Sequence, residues 1–328
     1  MNLSDERLAR VALSTISQPG DTVTGTLLEI IGAPETLRMI STRDQLPETI
    51  DPTEGELWRA RLNPRLRDAD TERVVVDTER RGLTLLTPDD PRWPTALRAL
   101  GVASPIALWI AGSIATRAPG ASDRVAIVGA RAATSYGEHV AAELASELAG
   151  SGVSIVSGGA YGIDGAAHRG AIASQPGGTV AILAGGLDRP YPAGNAHLFE
   201  RIVGGGGALV SELPPGSTPT RWRFMQRNRI LAALAGATVV VEAGARSGSL
   251  DIAVRAHGLG RSVGAAPGPI TSAASAGCHR LLRERIATLV TNSEEVRELL
   301  DSRESTSQRA FDRTPSFANR RRSAGLTI

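Results

Sequence analysis

The residues of this chain whose types could do chemistry gather in short glycine-rich segments, each following an apolar run. The first is Gly129-Ala130-Arg131 with Thr134, Tyr136 and Gly137; the second is Ser157-Gly158-Gly159-Ala160-Tyr161-Gly162-Ile163-Asp164. The third holds Gly185, Gly186, Asp188, Tyr191, Pro192 and Asn195, and the last holds Glu242 and then Ser247-Gly248-Ser249. Turns of this kind that open helices present unused backbone N–H groups at a positive dipole end, and phosphate is their usual ligand. The same glycines also serve tight turns and close helix–sheet packing, so each loop alone is open to that reading. A further segment, Arg221-Trp222-Arg223-Phe224-Met225-Gln226-Arg227-Asn228-Arg229-Ile230, combines four arginines and two aromatics without an acid. Arginine contacts phosphate and aromatics stack on bases, the pairing that single strands require. The alternative is a helix start with Trp222 and Phe224 in the core. Arg227 and Asn228 would then face different sides, so the four arginines cannot all meet one ligand.

Other chemistries find less support. The chain has no lysine, so all 36 basic residues are arginine, which removes any P-loop, Schiff-base or kinase-type lysine. The single Cys278 excludes an intrachain disulfide framework and cysteine metal clusters, and the five histidines never fall into HxxxH spacing, so no metal is expected. Cys278-His279 reads as inert packing. Asp164 and His168 have the spacing of a helical pair; a general-base role competes with Asp164 bracing its own loop, and the bracing role is expected. A GxGxxG fingerprint is missing and the second strand ends in Ser157 rather than a ribose-binding acid, so no nucleotide cofactor is expected. The net charge is +2, but residues 1–120 carry three more acids than arginines and residues 301–328 three more arginines than acids. No apolar run is long enough for a bilayer and the N-terminus MNLSDERLARVAL lacks a basic leader, so a cytoplasmic protein with no membrane partner is expected.

The elements that must position these residues follow from periodicity. From Asp123 onward the runs VAIVG, VSIVS, TVAILAG, ALVSE and TVVVEAG alternate with helical patterns. Short β-branched runs without alternation fit parallel strands buried on both faces. RSVGAAPG adds a strand, and residues 277–300 add a helix, a TLV strand and a last helix. The fold class expected is α/β, a Rossmann-like, doubly wound, mostly parallel sheet with a small helical domain before it. The boundaries expected are a helical domain of the SAM or helix-hairpin-helix kind over 1–72, a connector with short strands over 73–120, the Rossmann-like domain over 121–300 and a polar, disordered, arginine-rich tail over 301–328. Trp93, flanked by prolines, reads as a packing anchor.

Together these segments resemble the DNA-processing protein A (DprA, or Smf) family. VAIVGARAATSYG looks like its first strand and turn, and SGGAYGIDGAAHRGAI like its SGxAxGID-AH element. TVAILAGGLDRPYPAGNAHL, SELPPGSTPTRWRFMQRNRILAAL, VVVEAGARSGSLDIAVRAHGLGR and APGPITSAASAGCHRLL follow in the family's order, so the likeness runs over about residues 80 to 296. Ala130, Met225, Asp251 and Arg285-Ile286 depart from the family pattern, the first two at the pocket. The resemblance implies single-stranded-DNA binding without base specificity, protection of incoming DNA and loading of RecA recombinase during natural transformation and recombination. It also implies a homodimer, with single-strand-binding protein as a further partner. Carried over by position, Gly129, Arg131, Ser157, Gly158, Gly159, Arg223, Arg227, Asn228, Arg229, Ser247, Gly248 and Ser249 would bind the nucleic acid, with no catalytic residue. The competing reading is a LOG-type nucleotide phosphoribohydrolase. Those enzymes carry a PGGxGTxxE turn; the equivalent stretch here is GARSGSLDI, with Ile252 in place of the glutamate.

Overall fold

The computed structural model describes residues 5–42, 44–113, 121, 123–174 and 178–301. The tail expected from residue 301, with Arg320, Arg321 and Arg322, lies outside the described residues beyond its first position.

Four helices come first: α1 (Asp5–Ile16), α2 (Thr22–Ser41), α3 (Pro52–Asp68) and α4 (Thr71–Arg80). Aspartates start three of them, with Asp21, Asp51 and Asp70 each accepting from a first-turn N–H. Leu13, Ile16, Leu27, Ile40, Trp58 and Leu62 form a core of their own under α1–α3, and Trp58 donates its indole N–H to Thr24 at 2.9 Å. The boundary expected at residue 72 falls inside α4. That helix packs on both α1 and the sheet: Val74 shares a core with Val11, Leu85 and Trp109, and its Thr78 hydroxyl receives the indole N–H of Trp109 at 3.0 Å.

The segment expected as a connector supplies β1 (Thr84–Leu86) and β2 (Leu108–Gly112), which extend the main sheet as an antiparallel edge. Leu85, Leu86, Leu108, Trp109 and Ile110 are all buried, and burial on both faces is what draws these residues into the sheet. Trp93 is buried in the same core as Leu86 and Leu97.

The α/β part runs β3 (Arg124–Val128), α5 (Ser135–Gly150), β4 (Ser154–Ser157), α6 (Ile163–Ser174), β5 (Thr179–Ile182), α7 (Ala196–Gly204) and β6 (Ala208–Ser211). It continues α8 (Arg221–Leu234), β7 (Ala237–Val240), α9 (Ser249–Gly258), β8 (Ser262–Ala265), α10 (Ala276–Arg283) and β9 (Thr288–Leu289), with a further helix over 293–301. The nine-stranded order is β1-β2-β6-β5-β4-β3-β7-β8-β9, and every pair from β6 to β9 is parallel. The chain winds outward from β3 to β6, then α8 recrosses the sheet and β7 takes the other side of β3. The reversal puts a crevice outside the carboxyl ends of β3 and β7, where ligands of open α/β sheets bind. The mostly parallel, doubly wound fold expected from the alternation is the one observed, and among the described residues no helix is long and apolar enough to cross a membrane.

Candidate nucleic-acid interface

The α5 N-terminus, where a Rossmann dinucleotide site receives its pyrophosphate, already holds an anion. The buried Glu242 carboxylate, at the end of the β7 run, accepts from the Thr134 N–H at 2.9 Å and the Thr134 hydroxyl at 2.7 Å. A Cβ on Gly137 would run into that carboxylate, so glycine is needed there for close approach. The first glycine-rich loop is thereby closed to an outside anion on its helix side, and Arg131, one residue beyond Ala130, is exposed on its open side.

That open side borders a cleft of about 620 Å³ at the switch point, lined by parts of the β3, β4 and β7 loops and by the first two turns of α8. Arg131, Arg221, Arg227 and Arg246 bring four guanidinium groups to it, against the carboxylates of Asp164 and Asp251. Asp251 is spent locally, taking the Arg255 guanidinium at 2.8 Å and the Asn228 amide at 3.1 Å. Asp164 accepts from the Ala160 N–H at 3.3 Å; burial pushes its carboxyl up, and the Arg227 guanidinium opposes that rise. It braces its loop, as the sequence predicts. Among the described residues no carboxylate forms an ion pair with Arg131, Arg221 or Arg246, so the wall is cationic.

Phe224 organises the arginines. Its ring lies 4.8 Å from the guanidinium carbon of Arg131 and 5.7 Å from that of Arg227, with Tyr191 edge-on at 5.9 Å. Cation–π contact of this kind holds a cation in place without neutralising it. Arg227 is buried, donates to the Ile182 carbonyl at 2.7 Å, and has its pKa pulled down to about 10 by burial and the neighbouring Arg131, against Asp164. Gly158 meets it with backbone, since a Cβ there would collide with Arg227 and Asp164.

Of the residues singled out from sequence, the cleft brings together Gly129, Arg131, Arg227, Asn228, Ser247, Gly248 and Ser249, with Gly158 beneath Arg227. Four others lie elsewhere. Ser157 is buried and donates to the Ile127 carbonyl at 2.6 Å. Gly159 packs on Leu183 and Phe199. Arg223 turns back to the Thr218 carbonyl at 2.7 Å, with its pKa lowered by burial and by Arg65. Arg229 is sealed in an ion pair with Glu212 at 2.5 Å. Arg229 falls on the helix face opposite Arg227, so the four arginines do not all meet one ligand. Arg227 and Asn228, expected on different sides, both line the cleft, because adjacent helical positions diverge by only about 100° and a broad cleft spans both. Trp222, assigned to the core in the alternative reading, is exposed, while Phe224 is half-buried. Beyond the residues carried over by position, the cleft adds Arg221 and Phe224, singled out only as part of their segment, Asp251, noted only as a departure, and Arg246, which the sequence reading missed. Arg221 and Phe224 both stood in the arginine-rich segment, Phe224 one helical turn and Arg221 two turns before Arg227 and Asn228, a spacing that puts them on the same face. His168 is buried and bonded to the Thr179 hydroxyl at 2.7 Å, and Cys278 is buried with its thiol pushed up to about 11 by burial.

The family model of DNA recombination-mediator protein A matches residues 84–301. A DNA processing protein DprA of Mycobacterium tuberculosis is 52% identical over 247 residues, covering 70% of this chain and 61% of that protein. The match therefore spans about three fifths of that relative's length. The DprA of Bacillus subtilis is 31% identical over 262 residues, covering 80% of this chain and 83% of that one. Among solved structures, DprA of Streptococcus pneumoniae superposes with a TM-score of 0.69 at 28% identity, covering 90% of this chain and 98% of that one. DNA processing protein A of Helicobacter pylori, described for its single-stranded-DNA binding mode, gives 0.58 at 27%, covering 67% and 96%.

Proposed function

We propose, for a chain that belongs to the DNA recombination-mediator protein A (DprA/Smf) family, that the arginine cleft binds single-stranded DNA through its phosphates and reads no bases. The observation that carries this reading is the group of guanidiniums at Arg131, Arg221 and Arg246 that line the switch-point cleft without a carboxylate partner among the described residues, Arg131 resting against the Phe224 ring. A planar guanidinium holds a phosphate by two parallel N–H donors, and a nearby ring offers a face to any base. The single-stranded-DNA binding mode described for the Helicobacter pylori relative supports the same assignment. Duplex is the poorer ligand, because the cleft offers no projecting helix patterned for a major groove.

The protein binds and does not turn over nucleotide on this reading. Ile252, at the position of the glutamate in LOG-type hydrolases, is a buried apolar residue, and Asp251 is tied to Arg255 and Asn228. Further along, the bound strand is handed to RecA recombinase during transformation by a homodimer in the cytoplasm, the role that family membership suggests. The experiment is a mobility shift with single- and double-stranded oligomers of one sequence over a range of salt. Single strands are expected to bind more tightly, with affinity falling as salt rises; equal affinity for duplex refutes the assignment.

A further inference from the structure

Aromatic side chains make up only 3% of the chain, and their placement is not random. Trp58, Trp93, Trp109 and Phe199 are almost wholly buried. Among the described residues the exposed aromatics are Tyr136, Tyr161, Tyr191 and Trp222, each about half exposed. They follow the carboxyl ends of β3, β4, β5 and β6 in turn, so neighbouring parallel strands each place one aromatic on the same edge of the sheet as the cleft.

Two of the four are held beside the cleft by rigid loops. Asn195, buried behind Tyr191, donates its amide to the carbonyls of Gly159 at 2.9 Å and Ala160 at 3.1 Å, tying the β5 loop to the β4 loop. The Tyr161 hydroxyl lies over Gly194 of the β5 loop, close enough that a Cβ there would collide with it. Gly162, at φ +68°, rests on the carbonyls of Ala130 and Arg131, which ties the β4 loop to the Arg131 loop. Tyr191 in turn meets the Phe224 ring edge-on. Arg131, Tyr161 and Tyr191 therefore sit on loops locked to one another and, through Tyr191, against Phe224 of α8, and exposed Arg189 lies two residues from Tyr191. Tyr136 leans the other way, its hydroxyl donating to the Pro267 carbonyl at 2.8 Å.

We propose that a bound single strand leaves the cleft across the β4 and β5 loops, with its bases stacked on Tyr161 and Tyr191. The proposal rests on the cleft reading above and assigns the path and the stacking partners. Half-exposed rings on pinned loops lose little freedom when a base covers them, so stacking there adds to affinity at small entropic cost. Phosphates along that path face Arg131 first and Arg189 beyond it.

The test is fluorescence anisotropy on the full chain with a long labelled oligothymidine and an abasic oligomer of the same length. The proteins are wild type, Arg131→Ala, the pair Tyr161→Ala with Tyr191→Ala, and the pair Tyr161→Phe with Tyr191→Phe, each checked by a thermal melt. The alanine pair should lose about tenfold or more in affinity for oligothymidine, the effect of losing one or two base stacks. It should bind the abasic oligomer as wild type does, and the phenylalanine pair should retain wild-type affinity for both. Unchanged oligothymidine binding by the alanine pair, with Arg131→Ala weakened, overturns the stacking path and leaves the cleft reading standing. An equal loss on both oligomers also overturns it, because a stacking residue has no purchase on an abasic strand. An unaltered Arg131→Ala defeats the cleft reading itself.

Discussion

Arg227 and Arg229 stand two residues apart on α8, and both are buried, yet one faces the cleft and the other the seam between the helical unit and the sheet. At the seam, Glu212 takes Arg229 on two prongs at 2.5 and 2.7 Å, and the Arg229 Nε donates to the Ala103 carbonyl at 2.7 Å. At the cleft, Arg227 has a strand-end carbonyl and the company of an aspartate whose own ionisation burial opposes. A buried cation is tolerable when its anion is built in, and otherwise gains most from an anion that arrives. The same residue type is thus structural where the fold supplies a carboxylate and available for a ligand where it withholds one. The Arg131 wall extends that rule to the surface.

The contrast is broken most forcefully at the seam. Arg229→Ala leaves Glu212 buried without its partner and should cost about 3–5 kcal/mol of stability, read by urea denaturation. Replacing both partners together, as Arg229→Met with Glu212→Leu, should cost much less, and DNA affinity per folded molecule should hold in both. If the double replacement is as costly as the single one, the ion pair is not what closes the seam.

At the cleft the signs are exchanged. Arg131→Ala should cost about 1–3 kcal/mol of single-strand binding, the range for a charge-assisted contact. The salt slope should flatten by about 0.7, one phosphate contact on a single strand. The thermal melt should stay in place, since the side chain is exposed. A collapsed melt would make Arg131 structural and erase the distinction from Arg229.

The smallest effect sharpens the comparison through pH. His168 is buried behind the cleft, and burial, with Arg169 and Arg227 nearby, pulls its pKa down to about 3. The unfolded chain binds that proton near pH 6.5 while the folded chain refuses it, so stability is full above about pH 6.5 and falls as the solution is acidified. The slope for this one group is at most about 1.4 kcal/mol per pH unit. Denaturation of wild type and His168→Gln from pH 7.5 to 5 should show the wild type losing the more; parallel curves would mean that the imidazole is not held neutral.

Much of this organisation was legible in the sequence, for a local reason. Uninterrupted runs such as VAIV and TVVV announce strands buried on both faces, and the glycines after them announce turns at the carboxyl ends, so the sheet and its switch-point loops could be read directly. Arg131 could be placed at the site because it lies within a few residues of such a signal, whereas Asn228, in the middle of α8, was placed there only by the family resemblance. Residues 73–120 were harder. β1 and β2 are recruited from a distance, β1 at the edge pairing antiparallel with β2 and β2 with β6, and no periodicity within that segment states which sheet it will join.

The sequence by itself determined the strand–helix alternation, the arginine-only chemistry and the aromatic-arginine segment on α8, because propensity, composition and period are properties of neighbours along the chain. Tertiary structure alone decided which arginines are free. Glu212 lies 17 residues from Arg229 and Glu242 lies 108 from Thr134, so the carboxylates that fill the seam and the α5 N-terminus arrive only when the sheet closes. Charge neutralisation acts through space over a few ångströms, and only the folded chain shows where an anion is still wanted.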